Sequence, residues 1–230
     1  MPDPVRTAAQ GLRYWEHRQQ AAANNLANVA TAGFKGEQIF AHLVAGPGPT
    51  ASGGTDLSEG AREETGRPLD LALEGGGYFV VRTAAGDRYT RNGAFSLDAS
   101  GVVVDQGGNP VLGTDGQPML LPPGAIEIRS DGEILVDGAR LGRLRVDAAK
   151  AGERLAREGG VYFVPPPGDP VSARDGVRVH QGQLEESNVN SISGMVDMIT
   201  IQRNHAALQR TLTVADGIDG RAANDIARVE

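Results

Sequence analysis

The sequence predicts an α+β fold in which a discontinuous, coiled-coil-like helical domain from both termini carries an inserted antiparallel all-β domain. Residues 4–30 and 190–228 each place apolar side chains at the three- and four-residue spacing of an amphipathic helix. The stretch between them combines frequent glycine with short apolar runs, which indicates strands joined by tight turns. Because the termini are the most strongly patterned parts of the chain, we expect them to serve assembly rather than chemistry.

This pattern divides the chain into three predicted parts. Residues 1–35 and 185–230 form a terminal helical assembly domain, residues 68–184 form a β-rich core domain, and residues 36–67 form an extended Gly/Pro-rich connector. Residues 45–66 of the connector show no hydrophobic periodicity. They are typical of a loop that is either mobile or ordered by a partner.

The first helix is predicted to begin near Pro4, because proline is tolerated in the first turn and Asp3 is a suitable N-cap. It should end near Thr31, with Gly33 in the left-handed conformation as its terminator. Its seam repeats every seven residues at two positions, occupied by Val5, Leu12, Gln19 and Leu26 and by Ala8, Trp15, Ala22 and Val29.

Three residues of low helix propensity interrupt the end of this helix: Asn24, Asn25 and Asn28. They have two interpretations. They form a frayed and solvated last turn, or their side-chain amides bond to neighbouring subunits or to a nearby loop.

Strand signals run from Pro68 to Val179, with apolar residues alternating or clustered in runs of two to five. Asn-Gly and Asp-Gly pairs, the preferred centres of tight hairpins, occur at 92–93, 115–116, 131–132 and 137–138. Short strands with turns every 8–12 residues predict an antiparallel β domain.

The last helix is predicted to start after Asn190, a suitable N-cap. Its seam keeps the same alternation of three and four residues, broken once at Asp219: Met198, Ile201, His205, Leu208, Leu212, Ala215, Ala222, Ile226 and Val229. Two such helices at opposite ends of the chain predict partner surfaces.

Composition excludes several classes of function. A net charge of −7 without clustered Lys and Arg argues against a nucleic-acid partner. The absence of cysteine excludes disulfides, thiolate metal sites and cysteine nucleophiles. The N-terminus lacks the apolar segment of a cleaved signal peptide, and no stretch reaches the ~18 apolar residues of a membrane helix. We therefore expect no direct membrane insertion and no cofactor.

No set of residues matches a known catalytic arrangement. The histidines lack H-E-x-x-H spacing, and no G-x-S-x-G motif is present. The triple glycine at 75–77 precedes a strand, which indicates a bulge or tight turn rather than a phosphate-binding loop. The carboxylate pairs Glu63-Glu64 and Glu185-Glu186 lie in polar stretches and are interpreted as a solvated surface.

Two other classes of function were weighed against assembly. A cell-wall hydrolase would need two carboxylates facing each other across a cleft. A secreted β-domain binding module would have no need of helices at both chain ends. The sequence therefore favours a protein that is not an enzyme.

Three blocks of sequence resemble the bacterial flagellar axial proteins, specifically the basal-body rod and hook group. The first is AANNLANVATAGFKG at 22–36. The second is LDLALEGGGYFVV at 69–81 with YTRNGAFSLDASGVVVDQGGNPVLG at 89–113. The third is QGQLEESNVNSISGMVDMITIQR at 181–203. They occur in the order of the family and span nearly the whole chain.

The resemblance implies a structural subunit of the flagellar basal-body rod that polymerises as a helical tube through its terminal helices. It implies export through the flagellar type III apparatus without a cleaved signal peptide, and contacts with itself or with other rod and hook subunits. The length of the chain favours the proximal-rod subunit, with a distal-rod or hook-type axial subunit as the alternative.

The residues expected to form the assembly interface come from the two helical signatures. They are Leu12, Trp15, Asn24, Asn25, Leu26, Asn28, Gly33 and Phe34 at the N-terminal side, and Ser187, Asn188, Val189, Asn190, Met195, Val196, Met198 and Ile199 at the C-terminal side.

Overall fold

The computed structural model describes residues 4–42, 50–148, 155–164, 171–172 and 176–226. It contains helix α1 (Pro4–Ala27), helix α2 (Ser191–Ile226) and short strands between them. Every strand pair among these residues is antiparallel. The predicted α+β class is therefore confirmed. Neither described helix has the length and apolar character that spanning a bilayer would require.

The strands, in chain order, are β1 (Glu37–His42), β2 (Thr50–Thr55), β3 (Arg62–Glu64), β4 (Leu71–Glu74), β5 (Gly77–Thr83), β6 (Gly86–Thr90), β7 (Ser96–Leu97), β8 (Val103–Val104), β9 (Ile126–Ile128), β10 (Glu133–Val136), β11 (Ala139–Arg143), β12 (Val146–Ala148), β13 (Ala156–Arg157), β14 (Tyr162–Val164), β15 (Val171–Ser172), β16 (Arg178–Gln181) and β17 (Gln183–Glu185). The largest sheet has the order β13-β14-β6-β5-β12-β15, and a smaller one has the order β11-β10-β9.

The chain separates into two compact units. The helical unit comprises Met1–Ala27, Glu37–Asp56 and Asn190–Glu230, and the β unit comprises Asn28–Gly36 and Leu57–Val189. This division differs from the predicted boundaries at two places. The segments 28–36 and 185–189 belong to the β unit. The predicted connector is divided, with Glu37–Asp56 in the helical unit and the residues from Leu57 onward in the β unit.

Within the helical unit, α1 and α2 lie against each other in opposite directions. The Leu208 Cδ1 atom is 3.3 Å from the position that a Cβ would occupy at Gly11. The His205 Nε2 atom is 4.0 Å from a carboxylate oxygen of Glu16. Because the higher number on α1 meets the lower number on α2, the two helices are antiparallel.

Helix α1 ends at Ala27, about one turn before the predicted end. The backbone N–H of Thr31 donates to the Asn28 carbonyl at 3.0 Å, which closes a turn beyond the helix. The Thr31 hydroxyl donates to the Asn28 side chain at 3.3 Å. Such local side-chain bonds compete with helical hydrogen bonding, which accounts for the earlier end. Asp3, the predicted N-cap, lies outside the described residues.

The predicted connector contains strands. Strands β1 and β2 pair from Glu37 with Thr55 to His42 with Thr50. Strand β3 pairs with β17. The sequence carried no strand signal here because β2 is rich in Gly, Ser and Thr, and pairing rather than side-chain burial holds it.

The β unit buries apolar side chains on both faces of its central strand β5, because successive residues of a strand point to opposite faces. The main cluster of buried side chains consists of Leu71, Leu73, Phe79, Val81, Phe95, Val103, Val111, Met119, Leu121, Ile128, Ile134, Val136, Leu144 and Val179. A second cluster consists of Tyr78, Val80, Tyr89, Leu112, Leu155 and Phe163.

The turn predictions succeeded where a hairpin needs positive φ. Asp137 and Gly138 have φ values of 51° and 79° and connect β10 to β11, which is the geometry expected of an Asp-Gly hairpin. The prediction for Asn92-Gly93 was wrong. Both residues lie in a buried segment without a hairpin, and a Cβ at Gly93 would be 1.7 Å from the Leu71 carbonyl oxygen. Glycine is present there because two backbones approach closely.

Candidate assembly site

One of the three asparagines ties α1 to strand β1 within the helical unit. The Asn25 amide nitrogen donates to the Glu37 carbonyl at 2.8 Å, and its side-chain oxygen accepts from the Glu37 N–H at 2.8 Å. The side chain thus makes the pair of bonds that a neighbouring strand would make. Of the two interpretations of the asparagines, Asn25 follows the one in which an amide bonds to a nearby segment. The partner belongs to the same chain.

In the β unit, the segments 33–36 and 185–188 are joined by backbone and side-chain hydrogen bonds. The Gly33 N–H donates to the Glu185 carbonyl at 2.7 Å, and the Asn188 N–H donates to the Phe34 carbonyl at 3.3 Å. The Asn188 side-chain oxygen accepts from the Gly36 N–H at 2.7 Å. Two predicted assembly residues, Gly33 and Asn188, are therefore engaged within the chain.

The position of Gly33 admits no other residue without rearrangement. Its φ is +65°, a left-handed conformation that side chains disfavour. A Cβ at this position would lie 2.3 Å from the carbonyl carbon of Arg91 and 2.3 Å from the backbone nitrogen of Asn92. The predicted left-handed conformation of Gly33 is confirmed, but α1 already ends at Ala27, so Gly33 does not terminate the helix. The close approach of two backbones is what requires glycine here.

A buried ion cluster lies beside this junction. A carboxylate oxygen of Glu185 is 2.5 Å from the Lys35 ammonium, and the other is 3.1 Å from the Arg91 guanidinium. The Gly60 N–H also donates to Glu185 at 3.0 Å. Burial lowers the pKa of Lys35, and the hydrogen bond that its ammonium donates to Glu185 opposes that shift. One anion therefore compensates two cations in a site without water access.

The interpretation of Glu185 as part of a solvated surface was wrong. Only 1% of Glu185 is exposed, whereas its neighbour Glu186 is exposed, as are Glu63 and Glu64. Adjacent residues of a strand point to opposite faces, so one of the pair enters the interior while the other stays in water. The buried cations that require this carboxylate are distant in sequence, which is why no local pattern revealed it.

Phe34 is fully buried in the same unit. The Arg157 guanidinium lies 4.6 Å from the centre of its ring and 5.7 Å from that of Phe163. The Arg157 side chain also donates to the Lys35 carbonyl. Phe34 thus packs in the interior of the β unit, where it cannot touch another subunit. An effect of Phe34 on assembly would therefore act through the shape of its own subunit.

Helix α2 begins at a capped N-terminus, as the sequence predicted. The Asn190 side-chain oxygen accepts from the Ile192 N–H at 3.0 Å and from the Ser193 N–H at 3.1 Å. These bonds satisfy two of the free donors of the first turn. The prediction of Asn190 as the N-cap is confirmed.

The first two turns of α2 carry an exposed apolar stripe. We define it by four residues at the spacing i, i+3, i+4 and i+7, which share one helix face: Ile192, Met195, Val196 and Ile199. Between 51% and 75% of each residue is exposed. Ile201, which is buried, follows Ile199 by about 200° around the helix. The stripe therefore faces away from α1, and Ile192 belongs to it although the sequence had not singled it out.

The remaining predicted interface residues are half-buried. On α1 and α2 these are Leu12, Trp15, Asn24, Leu26 and Met198, and in the β unit they are Asn28, Ser187 and Val189. The Ser187 hydroxyl accepts from the Val189 N–H at 3.2 Å, which closes a local turn shortly before α2 begins. None of these side chains is as exposed as the four residues of the stripe.

The part of the chain that the structure describes contains no cluster of three or more His, Asp or Glu side chains able to hold a metal ion. The His180 ring lies 2.7 Å from a carboxylate oxygen of Glu74. That hydrogen bond, with help from Arg62, lowers the pKa of Glu74. The pair sits on paired strands at the surface rather than in a cleft, so it has the features of a structural ion pair.

An exposed apolar stripe on a helix beside a completed β core is typical of a surface that contacts another protein. Two family models agree. The flagellar hook protein FlgE/F/G D1 domain matches residues 72–136, and the C-terminal model of the flagellar basal body rod FlgEFG proteins matches residues 180–225. The second match includes the stripe.

Relatives along the full chain give the family. The flagellar basal-body rod protein FlgF of Mesorhizobium japonicum is 35% identical over 91% of this chain and 93% of its own length. FlgF of Escherichia coli is 33% identical over 96% of this chain and 97% of its own. FlgG of Bacillus subtilis is 30% identical over 90% of this chain and 93% of its own. The chain belongs to the flagellar basal-body rod protein family, whose members are structural proteins.

Proposed function

We propose that this chain is a structural subunit of the flagellar rod that polymerises as a helical tube through its terminal helices. The observation that carries the proposal is the exposed stripe on α2. Burying a large apolar side chain stabilises a contact by roughly 1.5–3 kcal/mol, so four such residues on one face form a strong interaction surface. A monomer without a partner would leave this surface in water.

The structure sorts the predicted interface residues by what they can reach. Asn25, Gly33, Phe34 and Asn188 make contacts within their own chain, so we assign them to shaping the subunit. Met195, Val196 and Ile199 project into solvent, and we assign them, with the newly recognised Ile192, to contact with another subunit. We assign four half-buried residues to the packing of the two helices against each other: Leu12, Trp15, Leu26 and Met198.

The domain arrangement belongs to the same proposal. The terminal helices form a coiled-coil-like inner layer, and the inserted β domain forms the outer wall. An open helical tube requires head-to-tail contacts that do not close into a ring. Partners are further copies of this chain or other rod and hook subunits. The chain reaches its site through the type III export apparatus without a cleaved signal peptide, and it binds neither nucleic acid nor membrane.

Within the rod, the proximal position is favoured. The FlgF relatives include identities of 35% and 37%, against 30% for FlgG of Bacillus subtilis. A distal-rod or hook-type position is the alternative within the family. The cell-wall hydrolase and the secreted binding module are not favoured, because the family matches extend over both the β core and the last helix.

The stripe can be tested directly. Replacing Met195, Val196 and Ile199 together by serine should abolish polymer formation, measured by sedimentation and electron microscopy. The free energy of unfolding of the monomer should change little, since exposed side chains contribute little to it. The matched control replaces Asp197 and Gln209, two exposed polar residues of α2 outside the stripe, by serine and should polymerise normally.

A second experiment addresses the other helix. Deletion of residues 1–30 should prevent polymerisation while the β unit retains its circular dichroism spectrum and its cooperative unfolding. Polymers formed by this truncated chain, or by the triple serine variant, would contradict assembly through the terminal helices.

A further inference from the structure

The β unit carries an arginine-lined groove that the helical contacts do not use. It has a volume of about 900 Å³ and runs between the turn at 114–116, strand β11 and the start of β16. Its walls contain three aspartates and four arginines: Arg140, Arg143, Arg145 and Arg178. A surplus of cations in one groove contrasts with the net charge of −7 of the chain.

One wall of this groove is an open strand edge. Strand β11 is the last strand of its sheet, with β10 on one side only. At its end, the Arg143 carbonyl accepts from the Thr114 N–H at 3.0 Å, and no described strand pairs with the rest of the outer edge. An edge of this kind presents backbone groups that can pair with an extended segment of another chain.

A bulge aligns two arginines on that edge. Arg140 is opposite Leu135 and Arg143 is opposite Glu133, and the pairing is interrupted between them. Because Leu135 and Glu133 are two residues apart on β10, both arginines lie on the same face of the sheet. Without the bulge, residues 140 and 143 would point to opposite faces.

These arginines retain unused hydrogen-bonding capacity. Arg140 bonds Glu133 at 2.6 Å and Arg143 bonds Asp131 at 2.7 Å, but 66% and 42% of their side chains are exposed. A guanidinium has five donors, and the buried Nε–H of Arg143 has no partner among the described atoms. Arg178 is exposed and lies opposite Glu74 on the paired strands β16 and β4. The groove therefore offers donors in a row beside an unpaired edge.

The same chain presents a complementary edge. Strand β3 pairs with β17 alone among the described strands, so its other side is open. Glu63 and Glu64, its last two residues, are exposed. An acidic edge and a basic edge on one molecule cannot pair with identical copies of themselves, but each fits the other on a second copy.

We propose that the β3 edge of one subunit docks on the β11 edge of another. Because adjacent residues of a strand point to opposite faces, one of Glu63 and Glu64 then lies on the face that carries Arg140 and Arg143. This inference deepens the proposed function and rests on it, because it identifies a contact between the outer β domains of neighbouring copies. The contact is heterologous, and repetition of it generates an open array rather than a closed dimer.

Cross-linking tests this contact in the full chain, which contains no cysteine of its own. One variant carries Ala61→Cys beside β3 and a second carries Ala139→Cys on β11. The two are mixed at the concentration at which the parent chain polymerises, and a short bis-maleimide is added. We expect cross-linked heterodimers to exceed either homodimer. Equal yields of all three products, or no cross-link in formed polymers, would overturn the proposal.

Charge reversal adds a test of specificity. Arg140→Glu with Arg143→Glu on the β11 variant should lower the heterodimer yield at least about tenfold, since like charges then face each other. Glu63→Lys with Glu64→Lys on the β3 variant should restore the yield when the two reversed variants are mixed. An unchanged yield after the first reversal, or no restoration after the second, would contradict the assigned contact.

Failure of this contact can be distinguished from failure of helical assembly. In the background of the triple serine variant of α2, tubular polymers should be lost while the cross-link between the two edges still forms. Polymers that form without the cross-link would contradict the edge contact and leave the helical contact standing. Cross-linked polymers that survive the triple serine change would contradict the helical contact and leave the edge contact standing.

Discussion

The two compact units satisfy their apolar and polar groups in different ways. The β unit buries two continuous clusters of apolar side chains and surrounds a buried carboxylate with two cations and a backbone donor. In the helical unit, the fully buried apolar side chains among the described residues are Ala21 and Ile201, and the stripe on α2 is open to solvent. The β unit is complete within one chain, whereas the helical unit is not.

This difference separates folding from assembly along the sequence. A unit whose apolar side chains are already buried gains little stability from a further partner, except at strand edges and charged surfaces. A unit with a few buried side chains and an exposed stripe gains most of its stability from contacts supplied by another molecule. The following variants test that contrast, beginning with the largest expected change in the free energy of unfolding.

Removing the charge of Glu185 should have the largest effect. Glu185→Gln leaves Lys35 and Arg91 buried without an anion, which typically costs about 3–5 kcal/mol. The measurement is urea denaturation of the full chain, followed by circular dichroism. Glu186→Gln is the matched control, since the neighbouring side chain is exposed and its change should stay within about 0.5 kcal/mol. Equal effects at the two positions would mean that the cluster does not hold the β unit together.

A pair of glycine substitutions compares the two units directly. Gly33→Ala introduces a left-handed alanine and a methyl group against the backbone of residue 91, so we expect a loss of about 2–4 kcal/mol. Gly194→Ala is the counterpart in α2, where nothing lies within 4 Å of the added atom. Alanine favours a helix over glycine by about 1 kcal/mol, so stability should rise. Thermal unfolding of both variants measures the opposite signs, and changes of the same sign would refute this contrast.

The link between α1 and β1 should have an intermediate effect. Asn25→Ala removes two hydrogen bonds to Glu37, each with a net contribution of about 1 kcal/mol. The loss should be local, so hydrogen exchange of the residue 37 amide should accelerate while amides of the β unit keep their protection. Gln20→Ala on the same helix serves as the control, because the Gln20 side chain is exposed. Faster exchange throughout the β unit would show that the link acts on more than the helical unit.

The smallest effect is a change in pH dependence. Burial, reinforced by the hydrogen bond to Asp105, raises the pKa of Tyr162 to about 12. The folded state therefore holds the phenol proton to higher pH than the unfolded chain, and this contribution is present below pH 10 and lost as the pH rises toward 12. Tyr162→Phe should be about 1–2 kcal/mol less stable at pH 8, because its bonds to Asp105 and Asn109 are missing.

Between pH 10 and 12, the stability of Tyr162→Phe should fall less steeply than that of the parent chain. Urea midpoints at several pH values measure both slopes. Parallel curves for Tyr162→Phe and the parent would refute the assigned proton linkage.

Much of the β unit was predictable because its signals are local. Alternation at Leu71 and Leu73, the apolar run at Tyr78–Val81 and the Asp137-Gly138 turn each report a conformation within a few residues. Strands β1, β2 and β3 were missed for the converse reason. Strand β2 consists of Thr, Ala, Ser and Gly, and all three side chains of β3 are exposed. The structure of this region depends on partners such as β17 and on the Asn25 side chain.

The candidate site was predictable to a similar extent. The C-terminal signature pointed to Met195, Val196 and Ile199, and their exposure agrees with the role proposed for them. The signature alone could not distinguish residues that bond within their own subunit from residues that are free to contact another subunit. Asn25 and Asn188 share their residue type with surface asparagines, and only the positions of Glu37 and Gly36 show that their amides are occupied.

By itself, the sequence determined the α+β class, the two terminal helices, the cap at Asn190 and the membership of the rod family, because periodicity, capping and short signatures act over a few residues. Only the tertiary structure decided that Glu185 is buried, that Gly33 lies against the backbone of residue 91 and that Arg140 and Arg143 share a face. These features depend on segments far apart in the chain. Their energies arise from desolvation and close approach, which exist only once those segments meet.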